Sequence, residues 1–256
     1  FSDYILTPKL ENILIKWNTA GQQGKGQHMA MDGLRNQMLD FYKRNGMNSW
    51  IVKCDIHKYF YCIDHEIMKD VLDYYFDDDF TVWLNHLFID STGNPGLPLG
   101  NQVNQKYALL LLHSLDQLIT IEFGNPYYGR YNDDFYVICK TKEDAREILE
   151  AIRMMIESLR LELNPKSQIV PFCMGLCYLG FHHYVTDEGK YIRKLRGDKK
   201  RKTQRKIRRW VQAVNDRKMP IKKFNEKYES CKNHMLHGNC IKLCHSMDLD
   251  IERRMK

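Results

Sequence analysis

The 256-residue chain carries 43% hydrophobic residues and a net charge of +7, enough apolar material for one large domain or two or three small lobes, which excludes a disordered or fibrous protein. No run of 18 apolar residues occurs, so the sequence predicts a soluble protein without a membrane span. The charge is uneven: residues 190–256 hold 22 Lys and Arg against 7 Asp and Glu, a net +15, whereas residues 1–189 hold 17 against 25, a net −8. Within the basic segment, Lys190 to Arg209 sets twelve basic residues against Asp198 alone, a pattern that favours polyanion binding over a solvated helix face.

In chain order, the start at Phe1 shows neither an initiator Met nor a leader with a cleavage site, which predicts a fragment of a longer protein. After a glycine-rich turn, Gly21 to Gly26, residues 28–44 place Met31, Leu34, Met38, Leu39 and Phe41 at helical spacing. Residues 50–60 open as a β-strand and end in aromatics, and 64–76 return to a helical pattern with Asp64 as N-cap. A turn-rich loop over 91–105 precedes an apolar helix over 106–121. Residues 127–139 read as a β-hairpin with acids at its tip, and 142–161 as an amphipathic helix. Short strands are expected at 167–171, 177–184 and 190–193, then helices interrupted near Pro220 and Gly238. The sum is a mixed sheet with helices on one face and a basic helical appendage. Eight cysteines without a compact spacing predict free thiols in a reducing, cytoplasmic setting, with Cys173 and Cys177 in strand and turn packing.

Three aspartates stand out. Asp55 lies near the end of an apolar strand, and Asp133 and Asp134 sit at the hairpin tip among Phe135, Val137 and Ile138. Each singly could cap or turn the chain, but neighbouring carboxylates beside a core are costly unless a cation neutralises them. Mg²⁺, which prefers a few carboxylates with phosphate oxygens and water, suits the trio. Two such ions about 3.5–4 Å apart stabilise both oxygens of an in-line displacement.

The series KCDIHKYFYCIDH (53–65), GLPLGNQVNQ (96–105), YNDD (131–134), LELNPKSQ (161–168) and YLGFHHY (178–184) resembles, in order and spacing, motifs A to E of bacterial reverse transcriptases. AGQQGKGQHMAMDGL (20–34) is similar to the fingers motif that precedes them in group II intron, retron and diversity-generating retroelement enzymes. The resemblance implies an α+β right-hand polymerase core: partial fingers (1–50), a ferredoxin-like palm (51–184) and an α-helical basic thumb (185–256). It implies Asp55, Asp133 and Asp134 as catalytic metal ligands together with the Ile56 carbonyl, two Mg²⁺ ions with Mn²⁺ as a possible substitute, and Lys166 beside the leaving phosphates; an ordinary surface lysine is the alternative for Lys166. Phe60 matches the steric gate that selects deoxynucleotides. Leu99, Gly100 and Gln105 fall in the loop beneath the nucleotide, with Lys25 as a further nucleotide contact. Tyr178, Leu179, Gly180 and Phe181 match the primer grip. Lys25 and Arg35 supply only part of the charge expected for the triphosphate, because the family's first fingers strands would lie upstream of Phe1.

An apolar residue before Gly100 and a terminal Gln105 are what diversity-generating retroelement enzymes show, while Asn104 departs from their usual Ser. That subgroup is favoured, with a phage-defence or retron-type enzyme as the alternative. From other classes, a noncatalytic RNA-binding subunit would have no use for three intact aspartates, and a metal nuclease leaves the remaining motifs unexplained. The implied partners are an RNA template, a DNA or RNA primer duplex, dNTPs and an accessory protein subunit.

Arg193, Lys194, Lys199, Lys200, Arg201, Lys202 and Arg205 are the thumb residues expected to contact phosphates without reading bases. Cys231, His234, His237, Cys240 and Cys244 have zinc-like spacing, but a packed helical hairpin accounts for them better.

Overall fold

The computed structural model describes residues 1–93 and 95–255. Asn94, in the loop expected over 91–105, lies outside the described residues. The chain forms two compact units, Phe1–Met174 and Gly175–Lys256.

In the first unit, a π-helical turn leads into α1 (Thr7–Ile13), and a linker of turns and bends precedes α2 (Gln27–Asn45). Strand β1 (Trp50–Cys54) follows, then the short α3 (Tyr59–Cys62), α4 (His65–Tyr75) and α5 (Asp79–Asp90). Asp64 caps α4 by accepting from the amides of Glu66 and Ile67, and Asp78 caps α5 in the same way through Phe80 and Thr81. Helix α6 (Gln102–Leu111) begins four residues before its expected start because the Asn101 side chain accepts from the Val103 amide. It also ends earlier, and α7 (His113–Gln117) and a second π-helical turn replace its last part. The hairpin is β2 (Tyr128–Tyr131) and β3 (Asp134–Cys139). Helix α8 (Lys142–Ser158) starts from a reciprocal capping box between Thr141 and Asp144, and β4 (Gln168–Pro171) completes the sheet.

The strand order is β2-β3-β1-β4, so the chain runs β-α-β-β-α-β through one sheet. Every strand pair is antiparallel, which corrects the expected mixed sheet. A single parallel bridge, Asn18 to Arg130, adds the α1–α2 linker beside β2: the Arg130 amide donates to Trp17 O and the Thr19 amide to Arg130 O. Helices on one face only was likewise an incorrect expectation. Adjacent residues Ile51 and Val52, and Val137 and Ile138, are all fully buried, so both sheet faces are covered. The larger core gathers Val52, Cys54, Phe135 and Val137 with Tyr107, Leu109, Leu112 and Leu115 and the inner stripe of α8 (Ala145, Ile148, Ile152, Ile156).

The second unit has its own antiparallel sheet, β5 (Leu176–Tyr178), β6 (Phe181–Val185) and β7 (Tyr191–Leu195), followed by α9 (Gly197–Asn215), α10 (Ile221–Leu236) and α11 (Ile241–Arg254). Strands β5 and β6 therefore fall in the unit that carries the basic helices, ten residues ahead of the division expected at 184. Strand β5 pairs with β6, and β6 with β7. Buried His183 locks this sheet. Its Nε2 faces the Tyr178 carbonyl at 3.0 Å and must donate, so Nδ1 accepts from the Tyr191 hydroxyl at 2.6 Å. Burial pushes its pKa down to about 3, so it stays neutral.

Cys240 and Cys244 are buried in the helical part. Among the described residues the cysteines form no disulfide. Cys173 and Cys177 are exposed, against the packing expected of them: Cys177 is the outward position of the alternating strand β5, and Cys173 follows buried Phe172 in a 3₁₀ turn. No described helix is long and apolar enough to cross a membrane.

Candidate active site

The sheet register brings the acids together. Cys54 opposes Phe135 and Lys53 opposes Tyr136, so the residue after β1 and the turn before β3 lie at one end of neighbouring strands. Asn132, in the left-handed region at φ +55°, turns the hairpin so that Asp133 occupies the tip and Asp134 opens β3. Burial, reinforced by the negative charge of Asp55, raises the Asp133 carboxyl above the usual carboxylate range. The Asp134 carboxylate is ion-paired with Lys53 on the adjacent strand.

The backbone around Asp55 is held rigidly. Its Oδ2 accepts from Asn164 Nδ2 at 2.9 Å, its carbonyl accepts from the Asn164 amide at 2.7 Å, and its amide donates to the Ser167 hydroxyl at 3.3 Å. An antiparallel bridge joins buried Ile56 to Leu163 through the Asp55 carbonyl and the His57 amide, without using the Ile56 carbonyl. The segment that ties Asp55 down also carries Lys166, whose side chain is exposed and whose amide donates to Asn164 Oδ1.

Phe60 is half-buried, edge-on to buried Tyr59 at 5.5 Å, and Tyr59 is fastened to α6 by a 2.6 Å hydrogen bond to the Ala108 carbonyl. The loop after α5 is strapped onto this element: the Leu97 amide donates to Phe60 O, the Gly96 amide to Ile63 O, and His65 Nε2 to Gly96 O. Gly96 sits at φ +115°, and a Cβ there would lie 3.0 Å from the Tyr61 carbonyl, so only glycine fits. Farther along, Leu99 is 60% exposed, Gly100 has φ +96°, and Gln105 is exposed on α6. Asn104 is buried and donates to the Pro98 carbonyl, closing the loop upon itself. Lys25 is half-buried, its ammonium donating to the Asn18 carbonyl and Gln22 Oε1, with burial lowering its pKa; Arg35 is exposed on α2.

Beneath the turn lies a network that the sequence reading missed. Arg130 and Asp116 are both wholly buried, joined by Nε–Oδ1 and Nη2–Oδ2 bonds of 2.7 and 2.6 Å. Tyr128 donates a third bond to Asp116 at 2.7 Å. Arg130 also donates to the carbonyls of Asn132, in the turn that bears Asp133, and of Leu109 on α6. Burial opposes the guanidinium charge, but Asp116 holds its pKa above the ordinary value. The available signal was a pair of opposite charges inside apolar runs, YGRY and LLLLHSLDQLI.

In the second unit, Tyr178 and Phe181 are buried as a cross-strand pair, and the two-residue turn between them has Leu179 at φ +48° and Gly180 at φ +90°. Arg193 exchanges backbone and side-chain bonds with Asn239. Lys194 lies over the Tyr184 ring. On α9 only Ile207 and Val211 are buried, while Lys199, Lys200, Arg201, Lys202 and Arg205 are exposed.

Carboxylates brought together at one end of neighbouring antiparallel strands are the equipment of a nucleotidyltransferase. The family model of reverse transcriptase (RNA-dependent DNA polymerase) matches residues 5–183, and the chain belongs to that family. No curated protein matches the sequence. Among solved structures, the chain is similar to telomerase from Candida albicans, solved in complex with a fragment of telomeric RNA, at a TM-score of 0.59 and 11% identity over 77% of this chain and 38% of that one. It is also similar to apo telomerase from Candida tropicalis, at a TM-score of 0.59 and 12% identity, covering 75% and 45% of the two chains. At such identities the likeness is one of fold, and the chain spans less than half the length of either telomerase chain.

The donor set suits a hard divalent cation. Asp55 and Asp133 are two carboxylates whose charges oppose each other, a state that a cation relieves.

Proposed function

We propose that the chain is the polymerising part of a reverse transcriptase that adds deoxynucleotides to a primer 3′-hydroxyl on an RNA template, through a right-hand core with a ferredoxin-like palm, partial fingers and a helical thumb. The observation that carries it is the convergence of Asp55 and Asp133, 78 residues apart, where burial first and the Asp55 charge second raise the pKa of Asp133. In this reading Asp55, Asp133 and the Ile56 carbonyl hold Mg²⁺, with Mn²⁺ as a substitute, and Asp134 joins them once Lys53 is displaced. Two bound ions supply charge stabilisation to the attacking and leaving oxygens.

The protein's own residues do the rest. The Phe60 ring lies under the incoming sugar and leaves no room for a 2′-hydroxyl. Leu99 to Gln105 present backbone to the nascent base pair, Lys25 and Lys166 face the phosphates, and the turn at Leu179 and Gly180 holds the primer end. Arg193, Lys194 and the exposed face of α9 track the duplex through phosphates. Leu99 before Gly100 and the terminal Gln105 favour the diversity-generating retroelement type. Cysteines outside any disulfide fit a reducing, cytoplasmic setting, and an accessory protein subunit completes the partners.

Primer extension on poly(rA)/oligo(dT) with Mg²⁺ tests the reading. Asp133→Asn and Asp55→Asn should each reduce nucleotide addition by at least ~10³-fold while RNA binding persists. Retained polymerisation in either variant would overturn the assignment.

A further inference from the structure

Helix α5 is amphipathic in the wrong sense for a helix that serves only its own core. Its buried face is Thr81, Asn85 and Ile89, with Asn85 Oδ1 accepting from the Tyr107 hydroxyl at 2.9 Å. Its outward face carries Phe80, Trp83 and Leu87, which are 61%, 58% and 50% exposed. At 100° per residue these three fall within about 60° of each other and opposite the buried set. Phe80 and Trp83 already touch, with ring centroids 5.9 Å apart. Scattered exposed apolar residues need no explanation, but a continuous stripe with a polar border marks an interaction site.

The border identifies the occupant. Residues 66–90 carry seven Asp and Glu against Lys69 alone, and three of the acids, Asp77, Asp78 and Asp79, stand at the N-terminal end of the stripe. Such a field repels nucleic acid and attracts cations. We propose that the outward face of α5 docks a basic amphipathic helix of a partner protein, whose apolar ridge packs on Phe80, Trp83 and Leu87 while its Lys and Arg face the acids. This deepens the accessory-subunit reading but rests on the α5 face alone, not on the polymerase assignment.

The test uses the full chain and a fluorescein-labelled 18-residue Leu/Lys peptide with helical amphipathic spacing, beside an isomer of identical composition in scrambled order. Anisotropy titration should show the amphipathic peptide binding at least ~10-fold more tightly than its isomer, and Trp83→Ser or Leu87→Ser should remove that preference. Because both side chains are half or more exposed, the melting temperature should stay within about 2 °C of wild type. RNA binding and primer extension should not change. Equal affinity for the two isomers would reduce the face to charge alone and overturn the proposal. So would loss of RNA binding in either variant, a concentration-dependent dimer of the chain abolished by Trp83→Ser, or unfolding of both variants.

Discussion

Removing the Asp116 carboxylate should unbalance the first unit more than any surface change. In Asp116→Ala the Arg130 guanidinium stays fully buried and loses its two charge-assisted bonds, and the Tyr128 hydroxyl loses its acceptor. Breaking a buried pair from one side costs about 3–5 kcal/mol, and an orphaned buried hydroxyl adds about 1 kcal/mol or more. Together these approach half of a typical domain stability of roughly 5–15 kcal/mol. For a unit of this size about 2–4 °C accompanies each kcal/mol, which puts the fall in melting temperature near 15 °C by calorimetry or circular dichroism. The double replacement Asp116→Leu with Arg130→Met leaves no unpaired charge and should recover most of the loss. It also deletes the bond from Arg130 to the Asn132 carbonyl, so the recovered protein should remain impaired in primer extension. A shift under about 3 °C for Asp116→Ala, or a double variant no more stable than the single one, would refute the reasoning.

Phe60→Ala should admit ribonucleotides at unchanged fold, read as the ratio of rNTP to dNTP incorporation; an unchanged ratio removes the gate role. Neutralising Lys199, Lys200, Arg201 and Lys202 together should weaken duplex binding for all sequences alike and lower the slope of log K against log salt by about 0.9 per lost phosphate contact on B-DNA. An unchanged slope would make these residues a solvated helix face. His183 has a folded pKa of about 3, below its ordinary value near 6.5, so the unfolded chain binds a proton that the folded one does not. Its contribution is therefore intact above pH 6.5 and declines toward pH 3, by up to about 1.4 kcal/mol per pH unit. Melting of the second unit at several pH values should show this slope in wild type and a shallower one in His183→Gln; equal slopes would exclude the histidine.

What the sequence revealed, and what it concealed, follows from which forces act locally. Helices α4 and α8 are legible because period and cap agree, as at Asp64 and at Thr141 with Asp144, and α2 is legible from its period alone. The hairpin announces itself through β-prone runs on either side of Asn132. Helix α5 escaped notice because apolar residues surround it almost completely, and the polar Thr81 and Asn85 lie on its buried face. Coverage of both sheet faces had a signal in the unbroken apolar runs at 50–52 and 135–139, where a half-exposed strand would alternate. The convergence of Asp55 with Asp133 was visible through the motif series, while the Lys53–Asp134 ion pair and the Arg130–Asp116 network depend on register and helix placement.

The linker strand beside β2 bears on aggregation. An antiparallel sheet with an open border offers unpaired peptide groups as a template for foreign strands. Here Trp17 and Thr19 occupy the bonds that Arg130 would otherwise present, and the opposite border, β4, is four residues long and ends in Pro171, which has no amide hydrogen to offer. A chain that began at Ala20 would lose this seal on β2 while keeping every residue of the candidate site. Residues 17–19 thus guard the four-stranded sheet against pairing with its own copies at high concentration.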